Sequence, residues 1–292
     1  AGAKQSRLTP MSTRERRDRS NESDRFLSKL FHDAVRTHCD ADTGKEISLA
    51  AVGGYGRGEL SPGSDLDILI LHNGKIAHEK LQAIVNDVLY PLWERNSVDH
   101  SVRTRSETRE SAASDLRVAT GLLDIRLIAG NPDLVAAVQG DSLEYWRKNT
   151  KQNLPELERS LSERHVRAGE LAYLLEPDLK EARGGLRDIQ ALRAIASSGA
   201  IHVPLEKISW AESTLNNVRE ALHTASGRGK NRLLFQEQDK VAKILEYKNA
   251  DAMMGDVARA ARSVDYLLDY TWHALEHKGK DGLGRIMRRP RV

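Results

Sequence analysis

Two aspartates, Asp65 and Asp67, begin an aliphatic run that ends at Leu71. If this run is a β-strand, side chains at alternate positions share one face, so the two carboxylates project together about 6–7 Å apart along the backbone. Two carboxylates on one face of a buried strand are costly unless positive charge lies between them. Paired ions in two-metal sites lie about 3.5–4 Å apart, a span that these two side chains could bridge. The aspartates therefore predict a divalent-metal site.

A glycine pair, Gly53-Gly54, precedes the aspartates and is joined to them by a loop rich in Gly, Pro and Ser. Glycines let a polyphosphate approach the backbone, whose N–H groups then bind it. The loop lacks the Gly-Lys-Ser/Thr of a P-loop and the glycine spacing of a dinucleotide site. The alternative, a β-hairpin with an acidic edge, leaves the apolar opposite face of the acidic strand unexplained.

The surrounding pattern predicts a small sheet with helices, followed by helices alone. Apolar residues at positions 26, 27, 30, 31, 34 and 35 predict an amphipathic helix, and residues 76–93 predict a second, which Pro91 should bend or end soon after. Residues 97–104 are expected to form the next strand, and residues 116–129 another helix. From about residue 140 no alternating strand pattern remains. The fold class is therefore α+β, with segments 1–24 (polar, either a flexible solvated tail or a frayed helix that begins near Ser12), 25–140 (sheet domain) and 141–292 (helical domain).

Composition limits the classes of function. The chain has 292 residues, and 45 basic and 42 acidic residues give a net charge of +3, which indicates no global preference for nucleic acid. It has one cysteine, Cys39, and no apolar run long enough to span a membrane, so a cytoplasmic protein is expected.

The string Gly-Gly-Tyr-Gly-Arg-Gly-Glu-Leu-x-Pro-x-Ser-Asp-x-Asp over residues 53–67 resembles the signature of polymerase-β-like nucleotidyltransferases. More narrowly, it resembles the PII uridylyltransferase family. This resemblance implies a polymerase-β-like domain in which Asp65 and Asp67 hold two Mg²⁺ ions. It also implies nucleotide contacts from residues of the loop, namely Gly53, Gly54, Arg57 and Ser64.

The segment His-Ser-Val-Arg-Thr over residues 100–104 also resembles the family. In the wider superfamily a third catalytic, metal-binding carboxylate comes from a strand at this place, and Asp99 is the local candidate. The alternative is an aspartate at a strand edge. We interpret His100 as a polar group beside the site rather than a substrate contact.

A second motif that resembles the family is Glu-Pro-Asp-x-Lys-Glu at residues 176–181 with Gly-Gly-Leu-Arg-Asp at residues 184–188. The glycines precede a helix predicted to begin near Leu186, whose free N–H groups favour an anion. Nucleotide binding is therefore expected from residues of this motif, namely Lys180, Arg183, Gly184, Gly185 and Arg187. Asp188 is expected to cap the helix or orient Arg187. The alternative is a glycine-rich turn with capping charges.

A third match, over residues 218–239, includes Arg228 and Arg232 as further basic groups that could approach a nucleotide. We expect the nucleotide to lie in a cleft between the two halves. Full-length family members continue into hydrolase and glutamine-sensing domains, and this length fits the transferase half alone.

The resemblance implies transfer of a nucleoside monophosphate from UTP or ATP to a tyrosine of the PII nitrogen-regulatory protein. Three alternatives remain: a nucleotidyltransferase with another protein or small-molecule acceptor, a non-catalytic NTP-binding module, and an RNA-tailing enzyme. The low aromatic content, 5%, and near-neutral charge disfavour the last.

Overall fold

The computed structural model describes residues 11–40, 43–93, 98–227 and 229–287. The chain divides into two compact units, which we call the sheet unit (Ala1–Lys148) and the helical unit (Asn149–Val292). Helix α6 runs through residue 140, where the sequence placed the start of the helical domain. Among the described residues, no helix combines the length and hydropathy that a membrane crossing requires.

The sheet unit contains, in its described part, a mixed four-stranded sheet in the order β3-β2-β1-β4. Strand β1 pairs antiparallel with both β2 and β4, whereas β2 and β3 are parallel. The strands are β1 (Ile47–Ala51), β2 (Leu66–His72), β3 (Val98–Thr104) and β4 (Arg126–Gly130).

Six helices accompany this sheet within the described ranges. They are α1 (Met11–His38), α2 (Gly53–Gly56), α3 (His78–Trp93), α4 (Arg105–Ser114), α5 (Leu116–Leu122) and α6 (Pro132–Lys148). A short 3₁₀ turn, Thr43–Glu46, leads into β1. Helix α4 begins with a capping box, in which Thr104 and Glu107 satisfy each other's backbone N–H groups.

The core of the sheet unit lies between one face of the sheet and helices α1 and α3. Alternate residues of β2, Leu66, Ile68 and Ile70, pack there. Helix α1 contributes Leu27 and Phe31, as its apolar spacing predicts. The opposite face of β2 is consequently left for Asp67, Leu69 and Leu71.

Helix α1 begins earlier than its apolar stripe does. Residues 11–24, which the sequence placed in a separate polar segment, form its first half. Arg16 and Ser20 are buried there, and the guanidinium of Arg19 donates to the carbonyl of Leu60 at 2.8 Å. Residues 1–10 lie outside the described ranges.

The helix expected over residues 116–129 is wrong in its second half. Helix α5 ends at Leu122, and residues 126–130 form strand β4 on the free edge of β1. Helical spacing within Ile125–Ala129 is satisfied equally well by a strand, and the unpaired backbone of β1 is the long-range partner that decides between them.

The helical unit contains no strand in its described part, as the sequence predicts, apart from two isolated backbone bridges. Its core residues include Leu192, Ile195, Leu215, Leu222 and Val264, all fully buried. Its helices are α7 (Thr150–Ala168), α8 (Leu186–Ser198), α9 (Ser209–Ser226), α10 (Phe235–Ile244) and α11 (Ala250–Met287), with 3₁₀ turns at Leu171–Tyr173 and Leu205–Ile208.

Candidate functional site

Asp67 and Asp99 are direct register partners on the parallel strands β2 and β3. Neighbouring strands lie about 4.8 Å apart, and paired residues present their side chains to the same face. Both aspartates therefore lie on the face opposite the α1–α3 core. His100 pairs with Ile68 and therefore lies on the other face of the sheet, away from the two carboxylates.

The glycine turn, which we define as Gly53–Gly56 (α2), lies next to Asp67. The amide of Val52 donates to the carbonyl of Asp67 at 3.0 Å, which ties the start of the turn to β2. Gly53 has a φ of +56°, and a β-carbon at this position would lie 3.4 Å from Oδ2 of Asp67. Within the described ranges, the N–H groups of Gly53 and Gly54 donate to no other residue. This turn therefore offers backbone donors beside a carboxylate.

Asp65 lies one residue before β2 begins, and it is exposed. The preceding loop closes on itself, because the amide of Ser61 donates to Oγ of Ser64 at 3.0 Å and the amide of Ser64 donates to the carbonyl of Ser61 at 2.9 Å. Ser64 thus fixes the conformation of the loop that leads through Asp65 into β2.

The donor set at this end of the sheet consists of carboxylate oxygens from Asp65, Asp67 and Asp99, the ligand type that Mg²⁺ takes. Among the described residues, no three His, Cys, Asp or Glu side chains are grouped closely enough to hold a metal by themselves. Mg²⁺ usually takes one or two protein carboxylates and completes its coordination with water and substrate phosphates. The residues fit an ion that binds together with a nucleotide.

Arg57, a predicted nucleotide contact, is held by carboxylates of its own unit. Its guanidinium donates to Glu59 at 2.9 Å and to Asp124 at 2.5 Å, and its side chain is only 13% exposed. Burial lowers the pKa of Arg57, but the two carboxylates raise it by more, so the net shift is upward. The arginine is charged and its geometry is set by these two partners.

A second ion-pair network lies behind the glycine turn. Asp24 of α1 accepts from the hydroxyl of Tyr55 at 2.7 Å and from Nη1 of Arg126 at 2.6 Å. The same guanidinium donates to the carbonyls of Gly56, at 3.1 Å, and Tyr55, at 3.3 Å. Sequence reasoning missed Asp24, because no local spacing links residue 24 to residues 55 and 126.

The Gly184-Gly185 turn of the helical unit is internally satisfied. The amide of Gly184 donates to Oδ2 of Asp188 at 2.6 Å, and that of Gly185 donates to the carbonyl of Ala182 at 2.9 Å. The amides of Leu186 and Arg187 donate to the carbonyls of Leu179 and Lys180. Helix α8 begins at Leu186 as predicted. The expectation of free N–H groups there is wrong, because the folded motif itself supplies their acceptors.

Asp188 is fully buried and holds this turn together. It accepts from Nη2 of Arg164 at 2.5 Å, and Nε2 of His165 lies 2.9 Å away. Burial raises the pKa of Asp188, but His165 and Arg164 outweigh it and lower the net value. Asp188 neither caps α8 nor orients Arg187: it accepts from the amide of Gly184, which precedes the N-terminal cap residue Gly185, and its basic partners lie on α7.

The basic residues of the second motif have different surroundings. Arg183 donates to Asp265 at 2.6 Å and to Asp269 at 2.9 Å, both on α11. Arg187 is more exposed and lies 3.3 Å from Glu181. Lys180 is half-buried. Arg232 forms an isolated backbone bridge with Asp178, and Arg228 lies outside the described residues.

Two sequence profiles match this chain, one in each unit. The nucleotidyltransferase domain matches residues 34–110, a range that contains the glycine turn and all three aspartates. The GlnD PII-uridylyltransferase family matches residues 152–272, which contain the second motif.

Curated relatives match across both units. The bifunctional uridylyltransferase/uridylyl-removing enzyme of Streptomyces coelicolor is 46% identical over 275 residues, which are 92% of this chain and 31% of the relative. The enzyme of that name from Mycobacterium tuberculosis is 37% identical over 255 residues, covering 84% and 31%. That of Vibrio campbellii is 38% identical over 240 residues, covering 75% and 27%. The chain thus spans about a third of the length of these relatives. With both profiles and these relatives in agreement, the chain belongs to the GlnD PII-uridylyltransferase family.

Proposed function

We propose that this chain transfers a nucleoside monophosphate, UMP or AMP, from an NTP to a tyrosine hydroxyl of the PII protein and releases pyrophosphate. The observation that carries the proposal is the register pairing of Asp67 with Asp99 beside the glycine turn. This arrangement puts carboxylates and backbone donors at one end of the sheet. The former suit a divalent cation and the latter suit phosphate.

Asp65, Asp67 and Asp99 are the residues that would hold Mg²⁺, with two ions as the expected number. When bound, the ions lower the pKa of the attacking hydroxyl and offset the charge that develops on the α-phosphate and on the leaving group. The chain's own residues orient the substrate: Gly53 and Gly54 present backbone N–H groups to the phosphates, and Asp67 keeps its carboxylate against the turn.

The reaction is a substitution at the α-phosphorus. The tyrosine oxygen forms a new bond to phosphorus, the bond between the α-phosphorus and the bridging oxygen breaks, and pyrophosphate leaves with that electron pair. The tyrosine proton passes to a carboxylate, and Asp99 is proposed for this role because it shares a face of the sheet with Asp67.

The helical unit contributes cationic groups for the NTP in this proposal. Arg187 is the exposed cation of the second motif, with contacts to Glu181 at 3.3 Å and to Gln190 at 3.0 Å. Lys180 is the other cation expected to bind the NTP. Arg183, Gly184 and Gly185 are engaged by their own unit, as are Arg57 and Ser64 in the sheet unit. For these five residues a nucleotide contact stays a prediction.

The test is an incubation of the chain with purified PII, Mg²⁺ and each labelled NTP in turn. We expect label on PII with one NTP, and its loss when the acceptor tyrosine is changed to Phe. The NTP that labels PII identifies the base. If no NTP labels PII although the protein is folded and binds an NTP, the acceptor assignment is wrong. If no NTP binds, the nucleotidyl-transfer assignment is wrong as well.

A further inference from the structure

The glycine turn is held in place by a network that extends through three elements of the sheet unit. The guanidinium of Arg126, on β4, donates four hydrogen bonds: to both Asp24 oxygens, at 2.6 and 3.2 Å, and to the carbonyls of Gly56 and Tyr55, at 3.1 and 3.3 Å. Its central carbon also lies 5.6 Å from the centre of the Tyr55 ring. The Arg126 side chain therefore contacts both the backbone of the turn and the ring of Tyr55.

Asp24, on helix α1, completes the network. Its carboxylate accepts from Arg126 and from the Tyr55 hydroxyl. The Asp24 and Arg126 side chains are 20% and 35% exposed, so their contacts are only partly screened by water. Burial and then the bond to Asp24 raise the pKa of Tyr55, so its hydroxyl stays protonated and remains a donor.

The backbone of the turn is also closely packed on the side that faces Asp124. A β-carbon at Gly56 would lie 1.9 Å from the carbonyl oxygen of Asp124, so the backbone of the turn lies directly against the segment that leads into β4. Its position therefore depends on β4 and α1, which flank it. The network and this close approach act on residues 55 and 56, whereas Gly53 and Gly54 remain open.

We propose that Asp24 and Arg126 are positioning residues, which hold the Gly53–Gly56 turn in its nucleotide-binding conformation and thereby set the affinity for NTP. This inference rests on the proposed function, because the ligand is the NTP proposed for the turn. A backbone that is already ordered avoids the entropy cost of ordering on binding. If the network served only to attach α1 to the sheet, its loss would lower stability and leave the affinity of the folded protein unchanged.

The decisive variant is Arg126→Lys, which keeps the charge but cannot reproduce the planar set of contacts. Tyr55→Phe removes only the hydroxyl bond to Asp24, and it serves as a second variant if Arg126→Lys does not fold. Arg105→Lys is the matched control, because Arg105 makes a bidentate pair with Asp141 in the same unit, at 2.6 Å to each oxygen, away from the turn.

Two measurements are made on the whole chain, well below the melting temperature. Hydrogen exchange without nucleotide reports the turn, and titration with a nonhydrolysable NTP and Mg²⁺ reports affinity. For Arg126→Lys we expect faster exchange at residues 53–58, unchanged exchange in β1 and β2, and an affinity loss of about tenfold, as for one hydrogen bond to a charged group. Tyr55→Phe should also speed exchange at residues 53–58 and weaken NTP binding, each by a smaller factor. Arg105→Lys should change neither the exchange rate nor the affinity.

The outcomes separate this inference from the proposed function. If the unaltered chain binds no NTP, the proposed function fails. If it binds NTP and the folded Arg126→Lys or Tyr55→Phe variant binds equally well, the positioning role is wrong and the network is only structural. An equal loss in Arg105→Lys would also overturn the inference, because any broken Arg–Asp pair would then have the same effect.

Discussion

At the scale of single residues, Asp67 is the one on which the candidate site depends. Its backbone carbonyl is tied to Val52, its carboxylate faces Gly53, and its register partner is Asp99. No other aspartate of the described sheet has neighbours of both kinds, a glycine turn and a second carboxylate. Substitutions here therefore test chemistry more directly than they test the fold.

Asp67→Asn should abolish most transfer, with a loss of about 10³-fold or more if the metal ions supply several kcal/mol of transition-state stabilisation. The amide keeps the size of the side chain but loses the charge that attracts the cation. Transfer rates at saturating NTP and Mg²⁺ measure the effect. The control is Asp87→Asn, an exposed carboxylate of α3 paired with His38, which should retain activity. Near-normal turnover of Asp67→Asn would contradict the metal assignment.

Asp99→Asn tests the third carboxylate separately. If Asp99 binds metal or accepts the tyrosine proton, kcat should fall while the melting temperature stays the same, since the side chain is exposed. Unchanged kcat would make Asp99 an edge residue of β3 and would place the third ligand elsewhere.

Lys180→Ala tests the contribution of the helical unit. If the ammonium group binds the triphosphate, NTP affinity should weaken by about 1.5–3 kcal/mol, the range for hydrogen bonds to charged groups. Titration with a nonhydrolysable NTP and a melting curve measure the two effects. Lys278→Ala is the control, because Lys278 is an exposed lysine of the same unit that donates to the carbonyl of Ala200. Unchanged affinity with a lower melting temperature would mean that Lys180 is structural.

At the scale of elements, the two glycine turns of this chain have opposite characters. The Gly53-Gly54 turn leaves backbone N–H groups open, whereas those of the Gly184-Gly185 turn are satisfied by the motif itself and by Asp188. A β-carbon at Gly184 would lie 2.5 Å from the carbonyl of Ala261, so this glycine is required by the close approach of α11. The second motif is consequently a place of close packing against α11, in addition to any role in binding.

Asp188→Ala should destabilise the helical unit by about 3–5 kcal/mol, because it leaves the buried Arg164 guanidinium without its carboxylate. Denaturant unfolding followed by circular dichroism measures this loss. The comparison is Asp269→Ala, whose carboxylate is 55% exposed and whose partner Arg183 keeps Asp265, so about 1 kcal/mol or less is expected. Equal losses of unfolding free energy in both variants would show that the buried network contributes no more stability than the exposed ion pair.

At the scale of the whole molecule, stability should depend on pH through a buried histidine of the helical unit. Burial, followed by the charge of Arg219, lowers the pKa of His223 from 6.5 to about 4, against smaller opposing contributions from Asn231 and the backbone of Lys230; Lys180 lowers it further. The folded state thus binds this proton less readily than the unfolded state. The stabilisation is complete above the unfolded pKa and is lost as pH falls through the folded one.

His223→Gln should therefore remove part of the acid sensitivity of the chain between about pH 6.5 and pH 4. The unaltered chain should lose about 3 kcal/mol more across this window than the variant, the upper limit set by the shift in pKa. Unfolding at several pH values provides the comparison, and only the slopes matter, since the substitution also changes packing. Parallel slopes would show that another group controls the response.

Features that depend on local spacing could be predicted from the sequence alone. The glycine turn, the aliphatic strand that carries Asp67, the start of α8, the all-helical second half and the family were predicted correctly, because alternation, helical periodicity and motif order are properties of adjacent residues. Asp65 was expected on the same strand as Asp67 but lies one residue before it.

The long-range pairings could not be predicted from the sequence, and they follow from the folded structure. It put Asp99 in register with Asp67, turned residues 126–130 into an edge strand, and brought Asp24 to Arg126 over 102 positions of sequence. It also supplied acceptors for the N–H groups of α8, which the sequence left open. The physical reason is that a backbone donor or a charged side chain takes the partner that folding brings within about 3 Å, and spacing along the chain does not specify that partner.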